Sequence, residues 1–260
     1  MSTNWQAHPL LLARRRTFLG APIHDLSMDE TLDLAIEAMQ SKRPMLHTVI
    51  NVAKLVNMGK NAELRADVAS ADVINFDGMG VLWGARLLGV PAQERVPGVD
   101  LMSNLLARCE KQNFRPYLFG AERHVLEAMV VELRRRHPGL SIAGMRDGYF
   151  KPDEEPAIVE AINASKADCL FVALPTPHKE RFLKRHREAL TPSFVMGVGG
   201  SFDVYGNKVR RAPKFMQAMG LEWLFRTMQE PRRLWRRYYE TNTAYVVLLW
   251  HAYMDRRSGF

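Results

Sequence analysis

The feature that most constrains the fold is an alternation of short β-rich runs with helical segments across residues 45–200. The pattern predicts strands over residues 46–51, 72–76, 116–119, 141–144, 169–174 and 194–198. Helices are predicted over residues 27–40, 52–59, 63–70, 81–88, 99–111, 122–136, 154–165 and 179–189. Alternating elements of this length predict an α/β fold, a parallel Rossmann-like sheet covered by helices on both faces. Ligands of such folds collect at the carboxyl ends of the strands, so residues that follow strands are the candidates for a site.

A change of composition near residue 208 predicts a second unit. Residues 208–237 hold nine Lys or Arg against two Glu, interleaved with Trp223, Phe225 and Trp235, in a chain of net charge +8. We therefore predict an α/β core over residues 1–207 and a basic, aromatic-rich helical appendage over residues 208–260. A charge excess confined to one segment favours a docking surface for anionic lipid or phosphate over a wrapped nucleic acid. The arginines predicted to meet phosphates or membrane are Arg226, Arg232, Arg233, Arg236 and Arg237.

Cysteine content and hydrophobic run length bear on the compartment. Two cysteines, Cys109 and Cys169, both in apolar segments, predict a reducing environment rather than a disulfide framework. The longest apolar run near the carboxyl end, residues 244–250, is far shorter than the roughly 20 residues that span a bilayer. We therefore expect a cytoplasmic protein that lies on a membrane and does not cross it.

The residues around the first two strands offer the clearest candidates for chemistry. Asp77 follows a strand and precedes Gly78, a pattern that can project a carboxylate into a cleft or form a plain turn. Thr48 and Asn51, at the end of the first strand, could hydrogen-bond a sugar or cap the next helix. The glycines at 78, 80 and 84 weakly match a dinucleotide fingerprint, which keeps an NAD(P) oxidoreductase as an alternative.

Later strand ends offer weaker candidates. Arg95 could hold a phosphate or lie on the surface, and Asp147 stands in a turn before an aromatic pair. Gly199 and Gly200 present consecutive backbone N–H groups that could hold an anion. His178 is a candidate acid or base that the preceding strand would bring to the same rim. The histidines show no metal-ligand spacing and no metal-binding motif is present, so we expect no metal and no other cofactor.

Taken together, these segments resemble the WecG/TagA/CpsF family of glycosyltransferases that act in bacterial surface-polysaccharide assembly. The resemblance runs in order over residues 47–239. It rests on Thr48-Val-Ile-Asn51, Asp77-Gly-Met-Gly80, Arg95 with Gly98, Arg146-Asp-Gly-Tyr-Phe150, Val198-Gly-Gly-Ser-Phe-Asp203, Arg211-Ala-Pro213, Gly220-Leu-Glu-Trp223 and Glu230-Pro-Arg-Arg-Leu-Trp-Arg-Arg-Tyr238. Each motif is weak alone, and their order and spacing carry the argument.

The resemblance implies an inverting, metal-independent transfer of a sugar from a UDP-sugar to a polyprenyl-diphosphate-linked saccharide, in exopolysaccharide or cell-envelope polysaccharide synthesis. It implies that Asp77 is the general base. It places the protein peripherally on the inner face of the cytoplasmic membrane. The implied substrate-binding residues are Thr48, Asn51, Gly78, Arg95, His178, Lys179 and Arg211. The implied nucleotide-binding residues are Gly120, Asp147, Tyr149, Gly199, Gly200, Phe202 and Asp203.

One segment departs from the family pattern. Where the family reads Gly-x-Pro-x-Gln-Glu, this chain has Pro175 and Lys179 in place of the glycine and the glutamine. We expect Lys179 to add positive charge at the rim, which makes a neutral hexose or an acidic sugar as compatible as an N-acetylmannosamine-type donor. A non-enzymatic module that binds anionic lipid or nucleic acid is the remaining alternative. For the transferase we expect no nucleic-acid partner, and a homo-oligomer is compatible with the sequence.

Overall fold

The computed structural model describes residues 5–258, with side chains as far as residue 255. Residues 1–4 and 259–260, at the outer ends of the two predicted units, lie outside the described residues. A six-stranded sheet with every neighbouring pair parallel forms the centre of the fold. The predicted α/β class is therefore confirmed.

The strands of the central sheet lie in the order β4-β3-β8-β7-β5-β6. The strands are β1 (Arg15–Phe18), β2 (Ala21–His24), β3 (Met45–Ile50), β4 (Val73–Phe76), β5 (Pro116–Gly120), β6 (Gly144–Arg146), β7 (Cys169–Ala173) and β8 (Phe194–Gly197). The chain passes from β3 to β4 on one side and then crosses to β5 on the other. A crevice therefore opens at the carboxyl ends, where connections diverge in opposite directions.

Helices connect the strands and cover both faces of the sheet. They are α1 (Pro9–Arg14), α2 (Met28–Ser41), α3 (Val52–Lys60), α4 (Ala62–Ala69), α5 (Met79–Leu87), α6 (Gly98–Gln112), α7 (Arg123–Arg136), α8 (Glu155–Ala164), α9 (His178–Arg185), α10 (Ser201–Tyr205), α11 (Lys214–Ala218), α12 (Glu222–Gln229) and α13 (Pro231–Ser258). Ser27 and Glu30 form the capping box that begins α2, each accepting a hydrogen bond from the other's backbone N–H.

Two hydrophobic clusters, one on each face, make up the core. Phe171 and Phe194 pack with α2, α6 and α7, whereas Leu170 and Val195 pack with α3, α4, α8 and α9. Adjacent residues of a strand point to opposite faces, so one short strand serves both clusters. Burial on both sides explains why these strands read as continuous apolar runs in the sequence.

A two-stranded antiparallel hairpin, β1 with β2, was not predicted from the sequence. Its strands are four residues long, and β1 is rich in arginine, so neither gives an apolar run. Tertiary contacts hold it against the sheet: Phe18 packs edge-on against Phe76 at 5.9 Å between ring centroids. The His24 ring also accepts a hydrogen bond of 3.1 Å from the backbone N–H of Ile74.

Two predicted elements differ from the observed ones by three or four residues at one end. The strand predicted at residues 141–144 is observed at Gly144–Arg146, because this edge strand has one neighbour and only residues opposite 117–119 of β5 pair. The helix predicted over residues 179–189 ends at Arg185. The next residue, His186, contacts Glu155 at 2.7 Å, and the chain turns there.

The predicted appendage consists of α11, α12 and α13, and it contacts the α/β body. Leu234 and Tyr245 are buried, and the Tyr245 hydroxyl donates a 2.9 Å hydrogen bond to the carbonyl of Gly80 in α5. The division at residue 208 remains a prediction. Among the described helices, none combines the length and the apolar character that a membrane span requires.

Two buried histidines predict acid-sensitive stability. Burial is the main cause that lowers the pKa of both His24 and His47 to about 4. Unfolded histidine titrates near 6.5, so between about pH 6.5 and 4 the unfolded chain binds protons that the folded chain does not. The free energy of unfolding should therefore fall as pH falls through this window, by about 2 kcal/mol per histidine at pH 5.

Urea unfolding at pH 7.5 and pH 5 checks this prediction. In the variant His47→Gln, the decrease in unfolding free energy that the two buried histidines cause should be about half of that in the wild type. The matched variant His124→Gln should show the wild-type decrease, because His124 is exposed. Equal pH dependence in His47→Gln and wild type would contradict it.

Candidate active site

Asp77 lies at the carboxyl edge of the sheet, between β4 and α5. Its backbone N–H donates a 2.9 Å hydrogen bond to the carbonyl of Ile50, which ties the end of β4 to the end of β3. Gly78 has a φ of 102°, and α5 begins at the next residue. This sharp turn leaves the Asp77 side chain half-buried at the mouth of the crevice.

The electrostatic surroundings of Asp77 suit a proton acceptor. Burial, and then the negative charge of Glu222, raises its pKa to about 6, against the opposing effect of Arg95, Lys54 and Arg226. Among the side chains described, which extend to residue 255, none donates a hydrogen bond to its carboxylate. A carboxylate with a pKa near neutrality is ionised at pH 7 and still basic enough to accept a proton from a hydroxyl group.

An ion-pair chain runs along one side of Asp77. An Arg95 guanidinium nitrogen lies 3.3 Å from a carboxylate oxygen of Glu222, and a second donates to Gln217 at 3.3 Å. The Arg211 Nε atom lies 3.8 Å from the other carboxylate oxygen of Glu222. The Arg211 guanidinium also donates two hydrogen bonds to the Asp100 carboxylate, and the one to Oδ2 is 2.6 Å long. The predicted substrate residues Arg95 and Arg211 thus share one carboxylate from α12.

A cluster of buried charges lies behind the end of β3. The Lys54 ammonium donates to the Thr48 hydroxyl at 3.1 Å and pairs with Glu180 at 2.9 Å. Burial acts to raise the pKa of Glu180, but the two neighbouring lysines outweigh it and hold that pKa at about 2. Asn51 caps α3 by accepting a 2.9 Å hydrogen bond from the backbone N–H of Lys54, so the capping alternative for Asn51 is confirmed.

The structure corrects the predicted position of Lys179. Its side chain is buried, donates to the Thr176 hydroxyl at 2.9 Å and pairs with Glu180 at 3.1 Å. Burial and the nearby Lys54 lower its pKa to about 8. Lys179 therefore lies inside the molecule and adds no charge to the rim, whereas its neighbour His178 is exposed at the start of α9.

The loops after β5, β6 and β7 meet on the other side of the crevice. Gly120 has a φ of 118°, and a Cβ atom there would lie 2.5 Å from the Ala173 carbonyl oxygen, so only glycine fits. The backbone N–H of Ala121 donates to that same carbonyl at 3.0 Å. Asp147 accepts a 3.1 Å hydrogen bond from the backbone N–H of Tyr149, whose ring is exposed.

The loop after β8 lies next to an arginine of α12. A Cβ atom on Gly200 would lie 2.6 Å from a guanidinium nitrogen of Arg226, so Arg226 rests directly on the loop. Burial raises the pKa of Asp203, although Lys208 and Arg226 act against it. Phe202 is fully buried in the core, so its predicted contact with a nucleotide is not available to its side chain.

The four predicted arginines of α13, Arg232, Arg233, Arg236 and Arg237, lie on the surface, unlike Arg226. Arg233 pairs with Glu230, and Arg236 pairs with Glu240 at 2.7 Å. The Arg237 guanidinium lies 5.9 Å from the centre of the Tyr238 ring. Trp235 and Tyr239, also on α13, are more than 60% exposed, so basic and aromatic side chains occupy one accessible helix surface.

Four residues of the site escaped the sequence analysis: Lys54, Glu180, Gln217 and Glu222. Glu222 stands inside a motif that carries the resemblance, and Glu180 matches the last residue of the family's Gly-x-Pro-x-Gln-Glu pattern, so these positions could have identified both. Lys54 and Gln217 belong to no such motif and give no signal. Among the described side chains, no group of three or more His, Cys, Asp or Glu is arranged to hold a metal ion.

Comparison with known proteins identifies the family. A family model described as the glycosyl transferase WecG/TagA/CpsF family matches residues 16–259. The chain belongs to this family. A relative from Bacillus spizizenii, named N-acetylglucosaminyldiphosphoundecaprenol N-acetyl-beta-D-mannosaminyltransferase, is 39% identical over 178 residues, covering 68% of each protein. The predicted membership is confirmed, and the glycosyltransferase interpretation is preferred to the oxidoreductase and the non-enzymatic module.

The buried charge cluster generates a stability prediction. Replacing Glu180 with glutamine would leave the buried ammonium groups of Lys54 and Lys179 without their shared counter-charge. We expect Glu180→Gln to lose roughly 3–5 kcal/mol of unfolding free energy, as for other broken buried ion pairs.

The matched control is Glu63→Gln, because Glu63 pairs with Arg181 at 2.6 Å on the surface. Surface pairs of this kind contribute about 0–1 kcal/mol. Urea unfolding of both variants at pH 7.5 is the measurement. Similar small losses in the two variants would show that the buried cluster is not a stabilising unit.

Proposed function

We propose that this protein transfers a sugar from a UDP-sugar to a polyprenyl-diphosphate-linked saccharide during synthesis of a bacterial exopolysaccharide or cell-envelope polysaccharide. The observation that carries the proposal is Asp77, a half-buried carboxylate of raised pKa at the crevice where α/β folds bind ligands. Family membership supports the reaction class. The activity for which the Bacillus spizizenii relative is named supports a diphosphate-linked acceptor and an N-acetylmannosaminyl donor group.

In this mechanism Asp77 accepts the proton of the acceptor hydroxyl. The hydroxyl oxygen forms a bond to the anomeric carbon of the donor as the bond to UDP breaks, and the bonding electrons leave with the UDP oxygen. A single displacement of this kind inverts the anomeric configuration. A single displacement requires one general base next to the attacking hydroxyl group, and Asp77 can supply it without a second carboxylate.

The departing UDP carries negative charge that the protein must stabilise. Two cations lie near the crevice: Arg226 of α12, which rests against the loop after β8, and Arg95, which acts on Asp77. Preorganised charges at a site of this kind act on the charge that develops in the transition state. We propose that they serve without a metal ion, and that Gly120, Gly199 and Asp203 lie against the nucleotide.

The buried position of Lys179 bears on the donor sugar. Because its charge is paired with Glu180 inside the protein, it gives no reason to prefer an acidic sugar over the N-acetylhexosamine class. We therefore propose UDP-N-acetylmannosamine as the first donor to assay, with UDP-glucose and UDP-glucuronic acid as alternatives.

Loss of Asp77 should abolish transfer. Asp77→Asn keeps the shape of the side chain but removes its basicity, and general bases contribute typically 10²–10⁴-fold to rate. We expect a loss of at least about 100-fold in kcat with UDP-N-acetylmannosamine and a prenyl-diphosphate-linked N-acetylglucosamine acceptor. Wild-type turnover should not change when EDTA is added.

Asp153→Asn is the matched control, because Asp153 is exposed on a surface turn. It should retain wild-type turnover. Full activity of Asp77→Asn with any of the three donors would reject the base assignment, and loss of wild-type activity in EDTA would reject metal independence.

We further propose that α13 docks on the anionic inner face of the cytoplasmic membrane. Each basic residue near such a surface contributes about 1 kcal/mol, and exposed aromatic rings such as Trp235 suit the headgroup region. The double variant Arg232→Gln/Arg237→Gln should therefore bind phosphatidylglycerol-containing vesicles about thirtyfold more weakly than wild type.

Vesicle sedimentation measures this affinity. The control Arg134→Gln/Arg135→Gln removes the same charge from the exposed end of α7, and it should bind like the wild type. Equal weakening by both double variants would show that net charge, rather than α13, governs binding.

A further inference from the structure

The turn before α12 touches the first residues of α5. Gly220 has a φ of 69°, and a Cβ atom there would lie 3.0 Å from the Cβ of Met79 and from the ring of Trp83. Met79 lies two residues beyond Asp77, and Glu222 lies two residues beyond Gly220. This close approach therefore sets the start of α12 next to the loop that carries Asp77.

Glu222, at the start of α12, uses both carboxylate oxygens on arginines of the site. One oxygen lies 3.3 Å from Arg95 and the other 3.8 Å from Arg211. Arg95 is further held by Gln217 at 3.3 Å, and Arg211 by Asp100. Removal of Glu222 would leave Arg95, which interacts electrostatically with the Asp77 carboxylate, without its ion-pair partner.

We propose that Glu222 is a positioning residue for the transfer reaction: it holds Arg95 and Arg211 beside Asp77 and prevents Arg95 from forming an ion pair with that carboxylate. The inference rests on the proposed function, because it treats Asp77 as the base. Glu222 itself need not contact either substrate.

The charges that face Asp77 support this role. Lys54 of α3, Arg95 of the loop before α6, and Glu222 and Arg226 of α12 act on its pKa, and Arg211, in the loop before α11, also interacts electrostatically with Asp77. Burial raises the pKa of Asp77 most, Glu222 raises it further, and the three cations lower it. Without the negative charge of Glu222, burial alone opposes the cations, so the pKa of Asp77 should fall toward the ordinary aspartate range and the carboxylate should become a weaker base.

A titration that needs no substrate tests the proposal. Full-length protein labelled with carboxyl-¹³C aspartate is titrated by NMR, and Asp77→Asn identifies the Asp77 resonance. The midpoint should lie near pH 6 in the wild type, fall in Glu222→Gln, and stay near the wild-type value in Glu222→Asp, which keeps the charge. Glu240→Gln, which removes a carboxylate from exposed α13, should leave the midpoint unchanged.

For a second variant, Arg95→Gln, we expect the titration midpoint of Asp77 to shift in the opposite direction. Arg95 lowers the pKa of Asp77, so Arg95→Gln should raise the titration midpoint. This variant keeps the proposal testable even where Glu222→Gln folds poorly, a defect that thermal unfolding would reveal. A midpoint in folded Glu222→Gln that superimposes on the wild type, or no rise in Arg95→Gln, would overturn the proposal.

Activity separates this inference from the proposed function. The acid limb of the kcat/KM profile should move to lower pH in Glu222→Gln, with a reduced plateau because the base is weaker. Full turnover of Asp77→Asn would reject Asp77 as the base and therefore the proposed mechanism. An inactive Asp77→Asn together with an unshifted acid limb in Glu222→Gln would reject the role of Glu222 alone.

Discussion

The contact between Arg95 and Glu222 joins parts of the chain that lie 127 residues apart, and the organisation of the site depends on it. Arg95 belongs to the loop that follows α5, and Glu222 belongs to the segment after the last strand. Their ion pair, extended through Arg211 to Asp100, brings the C-terminal helices against the strand ends. The α/β body and the predicted appendage therefore both contribute charges to the crevice.

Burial determines how these charges behave. Around Asp77, a half-buried position and one neighbouring carboxylate raise the proton affinity of a group that would otherwise be a weak base. Behind β3, burial also acts to raise the pKa of Glu180, but the positive charges of Lys54 and Lys179 outweigh it. Glu180 therefore stays ionised. Two carboxylates that both interact with Lys54 thus acquire opposite properties, Asp77 as a proton acceptor and Glu180 as a fixed counter-charge.

Particular elements show how far the sequence could be interpreted. The six central strands were predicted because burial on both faces makes them apolar runs, and five of the six were placed to within about one residue. The hairpin β1–β2 was missed because its stability comes from contacts with β4 and not from its own composition. Lys179 was expected at the rim, and only the packed structure shows its burial against Glu180.

The sequence by itself determined the fold class, the family resemblance and the place of Asp77 after a strand. These are local properties: periodicity, glycine at a sharp turn, and motifs in a fixed order. Only the tertiary structure decided which charges surround Asp77 and which lysine is buried. Electrostatic energies depend on distance and on exclusion of water, and both are set by residues far apart in the chain.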